Sequence, residues 1–227
     1  MNTVNLQDVL IKNGDDFAFN LSGVENYNNS SSRLRFWFDH CKKNIDKLDG
    51  DIFEFGVFRG SSLISIALLL KKLGSKKKVY GFDSFGGFPE YHKYDDFESF
   101  ELYPDIFEKI LVDKHKLMLG IKNTINVNLM PSNISSSGEF NETSESYVRD
   151  KIEALGLDNI ELIVGDFTNT VKTFFSNYNG KIFSCNLDCD LYLGYKDTLP
   201  YVYDKLVKGG YVHLDEYYSL KFPGARM

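Results

Sequence analysis

The chain has 227 residues, of which 43% are hydrophobic and 26% are charged, and this composition is typical of a folded globular domain. Its length suits one domain with a single buried core, so we expect one active site. The formal net charge of -6 lacks the positive field of a general nucleic-acid-binding protein. We therefore predict no nucleic-acid partner.

Neither the N-terminus nor any internal segment has the features of a targeting or membrane-spanning sequence. The first residues lack a basic region followed by an apolar run, and no stretch approaches the roughly 20 apolar residues of a transmembrane helix. Cys41, Cys185 and Cys189 lack the paired spacing of a metal site and fit small core residues in a reducing compartment. We predict a cytoplasmic protein with no membrane partner.

Strand-like apolar runs alternate with helix-like periodicity along the chain. This alternation predicts an α/β, Rossmann-like domain with a mostly parallel central sheet flanked by helices. The predicted strands are short and rich in β-branched or aromatic residues, and they cover 52–55, 79–82, 160–164, 182–187 and 211–214.

One helix is predicted after the first strand and another before the last strand. After the first strand, apolar residues recur at helical spacing, and Ser61 or Ser62 can cap the start of that helix. The helix before the last strand is expected to begin near Asp197 or Thr198, because Pro200 is tolerated only in a first helical turn. Gly209 and Gly210 are then expected to turn the chain.

We predict a single domain over 1–227 with two additions to the sheet. Residues 33–48 place apolar side chains among charged ones and predict a helix, within an N-terminal helical segment of about 1–48. No strand is evident between 84 and 159, which is too long for a plain loop. This stretch predicts a partly helical lid or insertion over about 91–137.

The first strand runs into the segment 54–61, at the sheet edge where folds of this kind bind ligands. Gly56 and Gly60 permit a sharp turn and close approach to a ligand, and Glu54 can neutralise a cationic amino group. A carboxylate here would repel a pyrophosphate, so the segment indicates a cofactor without phosphates. A plain tight turn between strand and helix is the alternative interpretation.

The second and third strands also end in an acid. Asp83 can accept hydrogen bonds from both hydroxyls of an adenosine ribose, or it can cap the turn that follows it. Asp166 can meet an adenine amino group while Phe167 packs on the ring. Acids at three consecutive strand ends favour a nucleoside cofactor.

Four further acids follow the last two strands: Asp188, Asp190, Asp215 and Glu216. Carboxylates that converge at one sheet edge repel each other and are costly to desolvate, so a hard cation such as Mg²⁺ would relieve them. Solvated carboxylates at the rim of the sheet are the alternative. Because alternate residues of a strand face similar sides, one of Asp188 and Asp190 can ligate metal while the other takes a proton from a substrate hydroxyl.

His213 is a second candidate catalytic residue. By the same alternation it points to the side of Asp215. A lone histidine inside an apolar strand is more often a hydrogen-bonded core residue, and that interpretation stays open.

These residues resemble the macrocin O-methyltransferase family, metal-dependent enzymes that methylate sugar hydroxyls of antibiotics and related glycosides. The resemblance rests on the segments 54–61, 81–89, 165–170, 187–192 and 209–217, continued by 223–226. It implies a class I methyltransferase fold in which S-adenosylmethionine is held by Glu54, Gly56, Asp83, Ser84 and Asp166. We add Gly60, Ser61, Phe167 and Asp188 as cofactor contacts. The resemblance also implies Mg²⁺ on Asp188, Asp215 and Glu216, with Asp190 as the general base.

Three features depart from the family. Glu216 stands where a second aspartate is usual, and 91–137 looks inserted. The sequence ends at Met227, whereas such enzymes continue into a helix and two further strands. We therefore expect truncated C-terminal strands, with the last strand's edge either exposed or paired with another subunit in a homo-oligomer.

The sequence thus predicts an S-adenosylmethionine-dependent O-methyltransferase that uses Mg²⁺ or a similar divalent cation to methylate a hydroxyl of a sugar acceptor. A nucleotide-linked, capsular or secondary-metabolite sugar is favoured over a macrolide, because the insertion alters the acceptor side. Two alternatives remain. One is a nucleotide-sugar or NAD-dependent enzyme on the same fold, and the other is a non-catalytic module that binds S-adenosylmethionine.

Overall fold

The computed structural model describes residues 5–125, 127, 129–135 and 137–227. Its sheet consists of β1 (Asp51–Phe55), β2 (Val79–Asp83), β3 (Ile160–Val164), β4 (Ile182–Leu187) and β5 (Leu206–Leu214). The strands lie in the order β3-β2-β1-β4-β5, and every neighbouring pair is parallel. The predicted α/β fold with a parallel central sheet is confirmed.

Helices cover both faces of this sheet. They are α1 (Leu6–Asn13), α2 (Asp16–Leu21), α3 (Arg35–Asn44), α4 (Ser61–Lys72), α5 (Ser99–Leu102), α6 (Lys109–Thr124), α7 (Glu145–Ala154), α8 (Phe167–Asn177) and α9 (Tyr192–Lys205). The helices α1, α2, α3, α4 and α7 share one hydrophobic cluster with the sheet face that carries Ile52. A second cluster packs α8 and α9 against the face that carries Phe53. Successive residues of β1 therefore enter different cores, as the two-residue period of a strand requires.

Helix α4 begins at Ser61, and its N-cap is Gly60, which has a φ of 76°. Ser61 and Ser62, which we expected to cap the helix, are its first two residues. The correction has a physical reason, because the Ser62 hydroxyl donates a hydrogen bond to the buried Glu54 carboxyl. The helix ends at Lys72, and Gly74 follows with φ 67°.

Helix α9 begins at Tyr192 and not near Asp197 or Thr198, so the predicted start was wrong. Pro200 lies inside the helix, where it cannot donate the usual backbone hydrogen bond. The helix nevertheless buries Tyr195, Thr198 and Val202. Packing of this face against the sheet outweighs the local cost of proline, which sequence propensity alone does not reveal.

Strand β5 starts before Gly209 and Gly210 rather than after them, so these glycines do not turn the chain into the strand. They lie in an irregular stretch where the β4–β5 register shifts and Gly209 has φ 86°. A Cβ on Gly210 would lie 2.9 Å from the carbonyl oxygen of Phe183. Glycine at this position permits the close approach of the two backbones.

Between β2 and β3 the described residues form helices and short 3-10 turns, including Lys93–Asp95 and Pro131–Asn133, and contain no strand. The helical content is as expected, whereas the role of 91–137 as a lid or insertion stays a prediction, and its residues 126, 128 and 136 lie outside the described residues. Ile134 from this stretch packs with Leu191 and Phe222 in a small third cluster. The predicted insertion therefore contacts the segment that follows β4 and the C-terminal residues. The single-domain bounds stay a prediction.

Three further predictions concern the cysteines, membrane-spanning helices and the outer edge of β5. Cys41, Cys185 and Cys189 are buried free thiols. Of the helices that the structure describes, none is long and apolar enough to cross a lipid bilayer. Within the described part of the chain β5 pairs with β4 alone, and a partner for its other edge stays a prediction.

Candidate active site

A cavity of about 690 Å³ opens at the carboxyl ends of the strands, where the loops after β1, β2, β3, β4 and β5 meet. Most of the predicted site residues line it: Gly56, Ser61, Asp83, Ser84, Asp166, Phe167, Asp188, Asp190, Asp215 and Glu216. Glu54, Gly60 and His213 are not in its wall. The topology thus brings together acids from four different strand ends.

Glu54 lies beneath the cavity. It is fully buried, and its Oε1 accepts hydrogen bonds from the Ser62 hydroxyl and, at 2.9 Å, from Nδ2 of Asn186. Among the described residues, no hydrogen-bond donor meets its Oε2. Burial raises the pKa of Glu54 to about 8, against the opposing effect of the two hydrogen bonds. A ligand's amino group at this carboxyl stays a prediction.

The loop between β1 and α4 has three residues in the left-handed region: Gly56 at φ 90°, Phe58 at φ 50° and Gly60 at φ 76°. A Cβ on Gly56 would lie 1.9 Å from the backbone carbonyl oxygen of Asp188. Gly56 is therefore required for the close approach of the loops after β1 and β4. The sharp turn that we predicted from the glycines is present. At Gly56 the close approach is to the backbone of Asp188, and an approach to a ligand stays a prediction.

Asp83 holds this loop in place. Its Oδ2 accepts hydrogen bonds of 2.7 Å from the backbone N–H groups of Val57 and Phe58, and its Oδ1 accepts one of 2.7 Å from Phe85. The bond to Phe85 is the turn-capping role that we had kept as an alternative. Because the carboxylate also lines the cavity, its contact with a ribose remains a prediction.

Asp166 is the N-cap of α8, and its Oδ1 accepts a hydrogen bond of 2.8 Å from the backbone N–H of Thr168. Phe167 follows in the cavity wall and meets the Phe55 ring edge-on, with centroids 5.9 Å apart. On the opposite loop, the Ser84 hydroxyl donates to the carbonyl of Gly87 at 3.2 Å. All three predicted cofactor contacts face one space.

The acid cluster consists of Asp188, Asp215 and Glu216, each of which offers a carboxylate oxygen within 4.8 Å of the others. Glu216 is fixed by the Tyr195 hydroxyl, which donates to its Oε2 at 2.8 Å. His213 approaches Oδ1 of Asp215 with its Nε2 at 3.2 Å. His213 thus contacts the acid cluster from outside the cavity wall, and its predicted catalytic role stays a prediction.

A guanidinium group joins this cluster, and sequence reasoning did not predict it. Nη2 of Arg33 lies 3.0 Å from Oδ2 of Asp188, and Nη1 pairs with Oδ1 of Asp215. Arg33 precedes α3 and lies 155 residues from Asp188 in the chain, so no spacing rule could associate them. The charge repulsion from which we inferred a metal is therefore relieved in part by the protein itself.

The carboxyl groups of this site differ in protonation behaviour. Burial and the nearby charge of Asp215 raise the pKa of Asp188 to about 6, although Arg33 opposes the shift. Burial and the charges of Asp188 and Asp190 raise the pKa of Glu216 well above its usual value. Burial opposes the charged form of Asp215 as well, but hydrogen bonds with His213 and Glu216 and the charge of Arg33 lower its pKa.

Asp190 is buried in the cavity wall with φ 55°, in the left-handed region that few non-glycine residues adopt. Burial and the charges of Asp188 and Asp215 raise its pKa well above the usual value. Two residues later, the backbone N–H of Tyr192 donates to Oδ1 of the buried Asp95 at 2.8 Å. Asp95 therefore connects the predicted insertion to the loop that carries Asp190.

Other cavity residues that the sequence did not single out come from the lid side and the C-terminal segment: Phe88, Ser135, Phe140, Lys221 and Phe222. The rings of Phe88 and Phe222 meet edge-on with centroids 5.9 Å apart. They add apolar surface to a cavity that also contains the acids. Because aromatic residues make up 15% of this chain, the composition could not identify Phe88, Phe140 and Phe222 as cavity residues.

The family model for macrocin-O-methyltransferases, TylF, matches residues 32–109 and 130–225, which is well over half of the chain. The chain belongs to the macrocin O-methyltransferase family. The family match includes Arg33 and every predicted site residue. It leaves 110–129 unmatched, and this stretch, which lies within the predicted insertion, contains most of α6.

Solved structures of two methyltransferases are similar to this family member. CalS11, a calicheamicin methyltransferase, has 22% sequence identity and a TM-score of 0.58, with 85% of this chain and 66% of that chain covered. The O-methyltransferase NovP has 22% identity and a TM-score of 0.53, with 79% and 62% covered. The chain thus spans just under two thirds of each protein's length, and the likeness shows the class I methyltransferase fold. Comparison with curated protein sequences gave no match.

In this macrocin O-methyltransferase family member the donor set of the acid cluster fits a hard divalent cation. Its donors are carboxylate oxygens, which Mg²⁺ and Mn²⁺ prefer, and they lie close enough to share one ion. The other half of the cavity offers acids at Asp83 and Asp166 and a glycine-containing loop, which suit a nucleoside with a cationic group. The residues present therefore fit both predicted groups.

Proposed function

We propose that this protein is an S-adenosylmethionine-dependent O-methyltransferase that methylates a hydroxyl of a sugar with the help of Mg²⁺ or a similar divalent cation. The observation that supports this most is that one cavity contains both the predicted cofactor-binding acids and the acid cluster. Acids after β2 and β3 face the loop after β1, and the acid cluster after β4 and β5 lies beside them. Membership of the macrocin O-methyltransferase family agrees with this division.

Bound S-adenosylmethionine would supply a methyl group on a sulfonium, and the cation would lower the pKa of an acceptor hydroxyl. Asp188, Asp215 and Glu216 would hold the cation. Tyr195 and His213 orient Glu216 and Asp215 through their hydrogen bonds.

Asp190 is our candidate for the base that takes the proton of the acceptor hydroxyl. Burial raises its pKa, which makes the ionised carboxylate a stronger base, and neighbouring positive charge is needed to keep it ionised. Phe88 and Phe222 line the same cavity and would help to exclude water from the reacting groups. Asp83 and Asp166 would orient the adenosine part of the cofactor.

For the acceptor we propose a nucleotide-linked sugar, or else a capsular or secondary-metabolite sugar. CalS11 is a calicheamicin methyltransferase, and this likeness supports an acceptor from natural-product chemistry. Phe88, just before the predicted insertion, and Ser135, within it, line the cavity and would select the acceptor. We also propose a cytoplasmic location, supported by the buried free thiols.

Calorimetry with S-adenosylhomocysteine and with NAD tests the cofactor assignment. We expect saturable binding of S-adenosylhomocysteine and no heat from NAD, because the loop 54–61 has two glycines and not the three of the dinucleotide-binding fingerprint. Binding of NAD instead would favour a dinucleotide-dependent enzyme. Binding of S-adenosylhomocysteine without methyl transfer to any sugar, with Mg²⁺ or Mn²⁺ present, would favour a non-catalytic module.

A further inference from the structure

Arg33 pairs with two of the three carboxylates that would hold a cation. Its guanidinium bridges Asp188 and Asp215, with one N–O distance of 3.0 Å to Asp188 and a close contact to Asp215. These are two of the three acids in the cluster that could share a metal ion. These two charge-assisted contacts, one to each carboxylate, make Arg33 the strongest cationic partner of the cluster among the described residues.

The backbone at Arg33 is held in place, whereas its side chain is not enclosed. Ser32 and Leu34 on either side are buried, and the backbone N–H of Leu34 donates to the Ser32 hydroxyl at 3.0 Å. The side chain of Arg33 is 53% exposed, while the Asp188 side chain is 19% exposed. The guanidinium can therefore turn into solvent by rotation of its own side chain, and the acids stay where they are.

A guanidinium and a divalent cation on the same carboxylates repel each other strongly, since both carry positive charge at contact distance in a partly buried site. We propose that Arg33 is a displaceable counter-ion of the acid cluster: it neutralises Asp188 and Asp215 when no metal is bound, and it must leave before a divalent cation binds. Arg33 thus sets the affinity of the site for its cation. This inference rests on the cation of the proposed function.

Binding of Mn²⁺ to the full chain, followed by electron paramagnetic resonance of the free ion, tests the inference without an activity assay. Arg33→Gln should bind Mn²⁺ about tenfold more tightly than the wild type, because it removes the competing charge. Arg33→Lys keeps a positive charge and should stay within about threefold of the wild type.

Arg35→Gln is the matched control. It removes the same charge two residues away, where the guanidinium donates to the carbonyl of Ser30 at 3.2 Å and lies over the Phe36 ring. Its affinity for Mn²⁺ should equal that of the wild type. A rise in Arg35→Gln equal to that in Arg33→Gln would show a general charge effect and would overturn the inference.

Thermal unfolding supplies a second readout. In excess chelator, Arg33→Gln should unfold at a lower temperature than Arg35→Gln, because it leaves Asp188 and Asp215 without their counter-ion, and saturating Mn²⁺ should remove the difference. If the wild type binds Mn²⁺ and Arg33→Gln binds it equally or less tightly, Arg33 is not a competitor and the inference fails alone. If neither protein binds Mn²⁺, the cation of the proposed function fails with it.

Discussion

The backbone N–H of Phe58 donates a 2.7 Å hydrogen bond to Oδ2 of Asp83, across the gap between the loops after β1 and β2. Phe58 has φ 50°, so this bond stabilises a backbone conformation that a phenylalanine rarely adopts. The same carboxylate lines the cavity and is our candidate for binding a ribose. Asp83 would thus stabilise the loop after β1 and also contact the cofactor.

We predict that Asp83→Ala weakens S-adenosylhomocysteine binding by about 2 kcal/mol or more, the range for hydrogen bonds to a charged group. Because the substitution also releases the loop, calorimetry should compare S-adenosylhomocysteine with an analogue that lacks the ribose hydroxyls. The wild type should prefer the natural ligand, and Asp83→Ala should lose that preference. A preference that is equal in both proteins would show that Asp83 only supports the loop.

Asp166 caps α8 and faces the cavity, and two substitutions separate these roles. Asp166→Ala should lower the free energy of unfolding by about 1 kcal/mol through loss of the cap, whereas Asp166→Asn should retain the cap. Urea unfolding measures this difference. If Asp166 also accepts a hydrogen bond from the adenine amino group, both variants should bind S-adenosylhomocysteine more weakly. If Asp166→Asn binds S-adenosylhomocysteine with full affinity, the charged carboxylate is not required for recognition of adenine.

Glu54 should make the stability of the protein depend on pH. Burial raises its folded-state pKa to about 8, above the value expected in the unfolded chain, so the folded protein holds a proton that the unfolded protein releases. Its contribution to stability is therefore fully present at acidic pH and is lost as the pH rises through about 8. The relevant window lies between the unfolded pKa of about 4.3 and the folded value.

Glu54→Gln should reduce this dependence, since a glutamine side chain has no proton to lose in that window. Its amide oxygen can still accept from Ser62 and Asn186. Urea unfolding at several pH values should give a shallower slope for Glu54→Gln than for Glu153→Gln, an exposed control on α7. Parallel slopes in the two variants would mean that Glu54 is ionised in the folded protein.

The two acids that follow β4 should differ in phenotype. Asp188→Asn should lose most of its Mn²⁺ affinity and retain S-adenosylhomocysteine, because Asp188 belongs to the acid cluster. Asp190→Asn should keep both ligands and lose the chemical step, since an amide cannot take a proton at neutral pH. Asparagine is also well tolerated at the φ of 55° that Asp190 adopts, so its fold should be kept. Near-normal turnover in Asp190→Asn would remove it as the base.

Some of this architecture could be predicted from the sequence, because it is determined by local patterns. The bounds of β3 and β4 agree with the prediction, since both segments are short and rich in β-branched or aromatic residues. Acids at strand ends follow from the same pattern, as the carboxyl ends of parallel strands meet at one edge. The convergence of Asp83, Asp166, Asp188 and Asp215 on one cavity therefore needed no knowledge of tertiary contacts.

What could not be predicted depends on contacts between distant parts of the chain. Arg33 meets its partners only because the N-terminal segment packs beside β4, and its role changes the charge argument for a metal. Pro200 lies within a helix because buried neighbours hold α9 in place. The three backbone hydrogen bonds of Asp83 depend on the fold of the loop after β1, which its glycines permit but do not specify.

The most direct test of the central claim is transfer of an isotopically labelled methyl group from S-adenosylmethionine to a panel of nucleotide-linked and free sugars, followed by mass spectrometry. With Mg²⁺ or Mn²⁺ present, we predict a labelled O-methyl sugar. Excess chelator should abolish this product, and renewed cation should restore it. Full transfer after exhaustive chelation would contradict the role of the cation, and a label on nitrogen or carbon instead of a sugar oxygen would contradict the proposed reaction.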